Sequence, residues 1–286
     1  MRIFQPGKDI GIGKIHILEE KIMVSFQEVY KGHWDGELMK PEDLKRIRPE
    51  LLDDRSLLLY FVDHFKLGDF SKKPGLIALM NQTKDTELQC ACVRVFASVC
   101  SHEDFRQPEN FEFLEIAEEE VVYCFAAVSI TMLSYEVVPY LFVLFEEWED
   151  TNIEESIRNA LDYIISYTDE LDYDVAMEEI QDYAYSFLSE ADPDLYYFYG
   201  KPFFPGILTQ QMTNYAQRRL KEQLPLGITI QPDLLSLCSG KCCPMTFSTV
   251  VNESSIRDLY AYIKDLIEMD WKPGNKYYYG HSISGS

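Results

Sequence analysis

The chain has 286 residues, 47% hydrophobic and 14% aromatic, enough to bury a substantial core in one large domain or two smaller ones. Its 26 basic and 48 acidic residues leave a net charge of −22, which sets it against phosphate backbones and anionic membranes and favours cations or basic proteins. Apolar runs such as VVYCFAAVSITML are too short to span a bilayer and the opening residues show no cleavage signal, so a mature cytoplasmic protein without nucleic-acid or membrane partners is expected.

Residues 1–54 form a first segment. KIHILEEKIMVSFQEVY alternates around Ile15–Ile17 and again from Ile22 to Phe26, which reads as a small β-hairpin or as the start of a helix. Gly11-Ile12-Gly13-Lys14 is a glycine-rich turn without the spacing of a phosphate loop. His33–Leu44 reads as a turn entering a helix near Pro41.

Residues 55–190 carry a repeat. PGLIALMNQTKDTEL from Pro74 aligns without gaps on PYLFVLFEEWEDTNI from Pro139, and PENFEFLEIAEEEVV from Pro108 is a weaker copy between them. A proline in the first helical turn gives up only an N–H without a helical partner, and Asp-Thr at 85–86 and 150–151 ends one helix and caps the next. The second helices carry buried stripes: Leu88, Ala91, Cys92, Val95 and Phe96 in one, Ile153, Ile157, Ala160, Leu161 and Ile164 in another. A lone helix pair cannot bury such a stripe, whereas stacked pairs can. The pattern resembles HEAT-type repeats, which implies a mainly all-α solenoid; their second-helix arginine occurs here irregularly, at Arg94 and Arg158.

Residues 191–286 change texture. DPDLYYFYGKPFFPG reads as an ordered aromatic connection or a docking strap, helices are expected over ILTQQMTNYAQRRLKEQL and SSIRDLYAYIKDLIEMDW, and QPDLLSLCSGKCCPMTF between them reads as loop-rich. WKPGNKYYYGHSISGS reads as a turn followed by aromatic strand or coil, and the C-terminal helices are expected to pack on the repeats as part of one continuous domain.

Catalytic and metal constellations are weak. Asp172 and Asp174 start like a calcium loop, but Ala176, Met177 and Tyr183 stand where it needs an acid, glycine and glutamate. Cys238, Cys242 and Cys243 lack the spacing and matched histidine of a zinc site, and the remaining cysteines read as buried thiols. Cys100, His102 and Asp104 are close in sequence but point apart on a helix end. No cofactor, metal or catalytic residue is therefore expected.

One feature stands out. From Glu146 to Asp194 there are seventeen acids and one base, Arg158, with tyrosines interleaved. The plain alternative is a solvated face that maintains solubility. Tyrosine favours contact because it supplies area at low entropic cost. The candidate partner-binding residues are Glu146, Glu147, Asp169, Glu170, Asp172, Tyr173, Asp174, Glu178, Glu179, Asp182 and Tyr183.

Acidity, helix pairs and the C-terminal Trp271-x-x-Gly274 followed by Lys276-Tyr277-Tyr278-Tyr279-Gly280 together resemble the all-α immunity proteins of bacterial polymorphic toxin systems. The resemblance implies a non-enzymatic protein that binds and blocks a cognate toxin domain. A basic toxin such as a nuclease would suit the acids, which would mimic phosphate. The alternative reading is a general HEAT-like interaction scaffold.

Overall fold

A computed structural model describes residues 26–30 and 38–283. The Gly11–Lys14 turn and the hairpin-or-helix segment lie outside those residues except for Phe26–Tyr30, which form the short α1. Pro41 is the first residue of α2 (Pro41–Leu44), as its fixed φ favours. The Asp53 side chain accepts from the Ser56 amide and starts α3 (Asp54–Lys66).

The helix pairs read from the sequence are present. α4 (Lys73–Gln82) and α5 (Thr86–Val99) form one; α8 (Val138–Glu147) and α9 (Asn152–Ile165) form the other. Between them, after the short α6 (His102–Phe105), Pro108–Ile116 is a tight 3-10 segment broken at Phe111, followed by α7 (Glu119–Met132). The second helices α5, α7 and α9 are each 14 residues long and begin at 86, 119 and 152. Their interval is therefore 33 residues, although the prolines at 74, 108 and 139 are unevenly spaced. Asp85 caps α5 and Thr151 caps α9, one residue later in the aligned motif. Asp150, at φ +61°, absorbs that extra residue. α5 packs on α7 and α7 on α9. Their buried stripes, including Leu88, Val95, Phe96, Val121, Phe125, Ile157 and Leu161, form the main core.

After α10 (Met177–Glu190) the chain builds small strands as well as helices. Strand β1 (Tyr197–Phe198) pairs antiparallel with β2 (Lys201–Pro202), and β3 (Tyr277–Tyr278) pairs with β4 (His281–Ser282). Between them lie α11 (Pro205–Glu222), α12 (Ile230–Ser239) and α13 (Glu253–Ile267); α12 corrects the loop-rich reading of its stretch, since Leu234, Leu235 and Cys238 form a buried helical stripe there. These helices enclose a second apolar cluster around Phe203, Met212, Leu235, Met245 and Leu259. Tyr278 and Ile283 of the last hairpin instead join the main core.

The two hairpins are copies of one device. Both have Tyr-Gly turns with two consecutive positive φ angles: +51° and +62° at Tyr199-Gly200, +51° and +81° at Tyr279-Gly280. This is the turn that matches strand twist in a two-residue loop. Each turn also caps a helix end. The Tyr199 and Gly200 amides donate to the Tyr163 and Ile164 carbonyls of α9 (2.6 and 3.0 Å). Those of Tyr279 and Gly280 donate to Leu237 and Cys238 of α12 (2.9 and 2.6 Å). Carbonyls at a helix C-terminus lack helical donors, and the turns supply them. α9–α10–β1–β2 and α12–α13–β3–β4 are thus two modules on one plan, with Ile180-Gln181-Asp182 of α10 matching Ile256-Arg257-Asp258 of α13.

Candidate partner-binding surface

The acidic segment begins where α9 ends. Ser166 adopts a left-handed conformation (φ +57°), and Asp162 accepts from the Thr168 amide and hydroxyl (3.0 and 2.6 Å), turning the chain outward. Arg158 pins the loop that follows. Its guanidinium donates to Glu154 (2.9 Å) and to the Val175 and Tyr173 carbonyls (2.9 and 3.3 Å). Arg158 is only 9% exposed, so the sole base of the region is used internally. Tyr167 is fully buried, its hydroxyl donates to the Tyr173 carbonyl (3.1 Å), and burial pushes its pKa up to about 12.

Asp169, Glu170, Asp172 and Asp174 are exposed on this loop; Glu178, Glu179 and Asp182 are exposed on the first two turns of α10. Tyr173 is 36% exposed, and its hydroxyl meets Asn159 Oδ1 at 3.3 Å. Tyr183 is half-buried, with its hydroxyl against the Ile165 and Ser166 carbonyls (both 3.4 Å). Both phenols are shifted upward, first by burial and then by carboxylates: Glu155 leads at Tyr173, Glu170 and Asp169 at Tyr183. Asp162 acts on both. Glu146 and Glu147 stand on another element, the last turn of α8. Most of the other tyrosines serve the fold: Tyr196 and Tyr197 are buried, Tyr163 and Tyr199 are half-buried, and Tyr185 is 68% exposed.

The helix macrodipole separates two classes of acid. Glu119-Glu120, Glu154-Glu155 and Glu178-Glu179 lie in first turns, where a carboxylate stabilises a helix by about 0.3–1 kcal/mol. Glu146 and Glu147 close α8, where negative charge opposes the dipole. The stability of their own helix does not account for them.

The surface extends further than the acidic run suggests. Between the start of α7 and α9 lies an open groove of about 720 Å³, lined by Glu118, Glu119, Glu120, Tyr123, Asn152, Glu155, Ser156 and Asn159. Tyr123 is 47% exposed. Asn159 and Glu155 join the groove to Tyr173. Sequence reading missed this wall because Glu118–Glu120 lies in the weaker repeat copy, more than thirty residues before Glu155 of α9, which it faces.

The family model for Immunity protein 47 matches residues 40–283. The chain belongs to that family. No curated protein and no solved structure shows a significant match. The match spans the helix pairs and both hairpin modules, including the motif from Trp271 to Gly280, and the structure gives most residues of that motif an architectural task. Trp271 Nε1 donates to the Leu266 carbonyl of α13 (2.8 Å). The Tyr277 hydroxyl accepts from the Lys272 amide (2.7 Å), Tyr278 is fully buried, and the Tyr279 ring lies 5.1 Å from the Lys66 ammonium. Lys276 is 1% exposed and donates to the carbonyls of Ala97 (2.7 Å) and Cys100 (3.1 Å) at the end of α5. Its buried charge thereby meets the negative end of a helix.

The Cys100–Asp104 run is likewise occupied by structural contacts. Cys100 Sγ lies 3.3 Å from Lys276, Asp104 closes the Ser101 cap and pairs with Lys73 (2.7 Å), and His102 Nδ1 meets Ser134 Oγ (2.8 Å). The His102 ring stacks on Tyr196, with centroids 4.1 Å apart. Cys238 and Cys243 are buried and Cys242 is exposed. Among the described residues, no group of three or more His, Cys, Asp or Glu is placed to hold a metal ion. No described helix is long and apolar enough to cross a membrane.

Proposed function

We propose that this chain neutralises a cognate toxin domain by covering a cationic cleft with the acidic face of its first helix–hairpin module and the adjoining α7–α9 groove. The observation that carries this reading is the contrast between the modules. α10 holds four acids and no base, while α13, on the same backbone plan, balances Glu253, Asp258 and Asp265 with Arg257 and Lys264. The plan therefore does not require an unbroken carboxylate face.

Family membership supplies the toxin as partner. Charge supplies its character: a site built for phosphate, as in a nuclease, presents the cations that would relieve these carboxylates. Tyr173, Tyr123 and Tyr185 offer exposed aromatic contacts beside them. The helix pairs act as a HEAT-like rigid support, and the cytoplasm is the expected site of action.

The test is binding to the toxin encoded by the neighbouring reading frame. Lys substitutions at Asp172, Asp174, Glu178 and Glu179 should slow association and reduce its dependence on salt. Unchanged rate and salt dependence would place the toxin contact elsewhere.

A further inference from the structure

The second module presents a surface of different chemistry. Leu224 follows the end of α11, and its carbonyl accepts from the Val251 amide (3.1 Å). Pro225 bridges Val250, and the Gly227 amide donates to the Phe247 carbonyl (3.0 Å). From this junction α11 and α13 run antiparallel, and Gln217 of α11 donates to the Tyr260 hydroxyl across their seam (3.0 Å). Leu224 (41%), Phe247 (56%), Val250 (52%) and Tyr260 (44%) are exposed along this strip. Single exposed apolar residues need no explanation, but a contiguous set with aromatics marks an interaction site.

The α11 side of the strip and the loop leading to α13 carry the reverse charge of the acidic face, while α13 mixes both signs, with Glu253 and Asp258 exposed beside Arg257. Residues 195–251 contain Lys201, Arg218, Arg219, Lys221 and Lys241 against only Glu222 and Asp233, in a chain whose net charge is −22. Glu222 pairs with Arg219 (3.6 Å) and Lys241 with Asp265 (3.3 Å). Among the described residues, no carboxylate lies within ion-pair distance of Arg218, Lys221 or Arg257, all exposed beside the strip. Arg218 rests over the exposed Tyr215 ring at 5.4 Å.

We infer that the α11–α13 strip is a second docking surface for the same toxin partner and receives a segment with apolar side chains flanked by carboxylates. This rests on the proposed immunity role and deepens it. A toxin gripped at a cationic cleft by one module and at an acidic, apolar segment by the other is held in one orientation, because either contact reversed would oppose like charges. A second copy of this chain is a poorer occupant, since two chains of this net charge repel.

The experiment measures affinity for the neighbouring-frame toxin with Phe247→Ala/Val250→Ser and, separately, Arg218→Glu/Lys221→Glu. All four side chains are exposed, so melting temperatures should match wild type. Each pair should weaken binding by about tenfold or more, the first mainly through faster dissociation and the second mainly through slower association. Wild-type affinity in both, with the complex intact, overturns the strip and leaves the immunity role standing. Failure of the wild-type chain to bind the toxin removes both. Light scattering that shows a dimer lost in the Phe247→Ala/Val250→Ser variant would assign the strip to self-association and also overturn the inference.

Discussion

α10 and α13 occupy matching places in two helix–hairpin modules, yet their surfaces differ in charge. α10 and the loop before it are acidic without relief, while α13 mixes both signs and adjoins a cationic, apolar seam. The buried sides differ as well. In the first hairpin the position before β1 is Tyr196, stacked on His102; in the second it is Lys276, which plugs the end of α5. The two modules share turn, register and helix capping, while their surface and anchoring residues differ. What both copies share is required by the fold; what one copy alone carries needs another explanation.

The largest predicted effect concerns those anchoring residues. Lys276→Met leaves the buried Cys100 carbonyl without its donor and the Ala97 carbonyl with only the weak Cys100 thiol (3.5 Å), and should cost about 3 kcal/mol, read as a fall in melting temperature. The matching change Tyr196→Phe loses one neutral hydrogen bond to the Ile283 carbonyl (3.3 Å) and should cost about 1 kcal/mol. Equal losses would mean that the second hairpin is no more firmly anchored than the first.

His102 gives a pH test of the first anchor. Burial, followed by the charges of Lys276 and Arg106, lowers its pKa from 6.5 to about 4. The unfolded chain therefore takes up the proton first, and stability falls as pH drops from 6.5 towards 4, by at most about 3 kcal/mol. Asp63 works in the opposite sense. Its pKa is raised to about 6 by burial, against the pull of Lys66, so lowering the pH from 6 relieves a cost. The difference between wild type and His102→Gln isolates the imidazole, and a difference independent of pH would contradict its role.

A smaller contrast lies in the turns. Alanine at Gly200 or Gly280 must adopt a left-handed conformation, which costs about 1–2 kcal/mol. At Gly200 the added carbon would also stand 3.0 Å from the Ile165 carbonyl oxygen, whereas at Gly280 it meets the flexible end of Met269 at 3.1 Å. Chemical denaturation should show Gly200→Ala as the more damaging variant. The reverse order would show that the second turn is the less forgiving.

Much of the helical architecture was legible. Prolines at first turns and Asp-Thr caps announced the flanking helix pairs. The regular 33-residue interval was obscured because Pro108 opens a kinked 3-10 segment and Asp150 adds one residue before its helix. The hairpins were harder to read, since two-residue strands give no alternation and Tyr at positive φ is not a usual turn signal. Comparing YYFYGK with KYYYGH would have exposed the duplicated device. The acidic run was readable as composition, but its assembly with Glu118–Glu120 required knowing that α7 faces α9. Tyr167, one of the tyrosines interleaved with the acids, is needed inside.

The most direct test of partner capture by the acidic module is a matched pair of charge reversals measured by stopped-flow association with the neighbouring-frame toxin. Glu178→Lys/Glu179→Lys/Asp182→Lys alters α10, and Glu253→Lys/Asp258→Lys/Glu268→Lys alters the same charge count on and just beyond α13. The first set should slow association by about tenfold or more at low salt and flatten its salt dependence, while the second, which adds positive charge beside the α11–α13 strip, should not slow it. Equal slowing by both sets, or none by the first, would show that the carboxylates of α10 only solvate the surface.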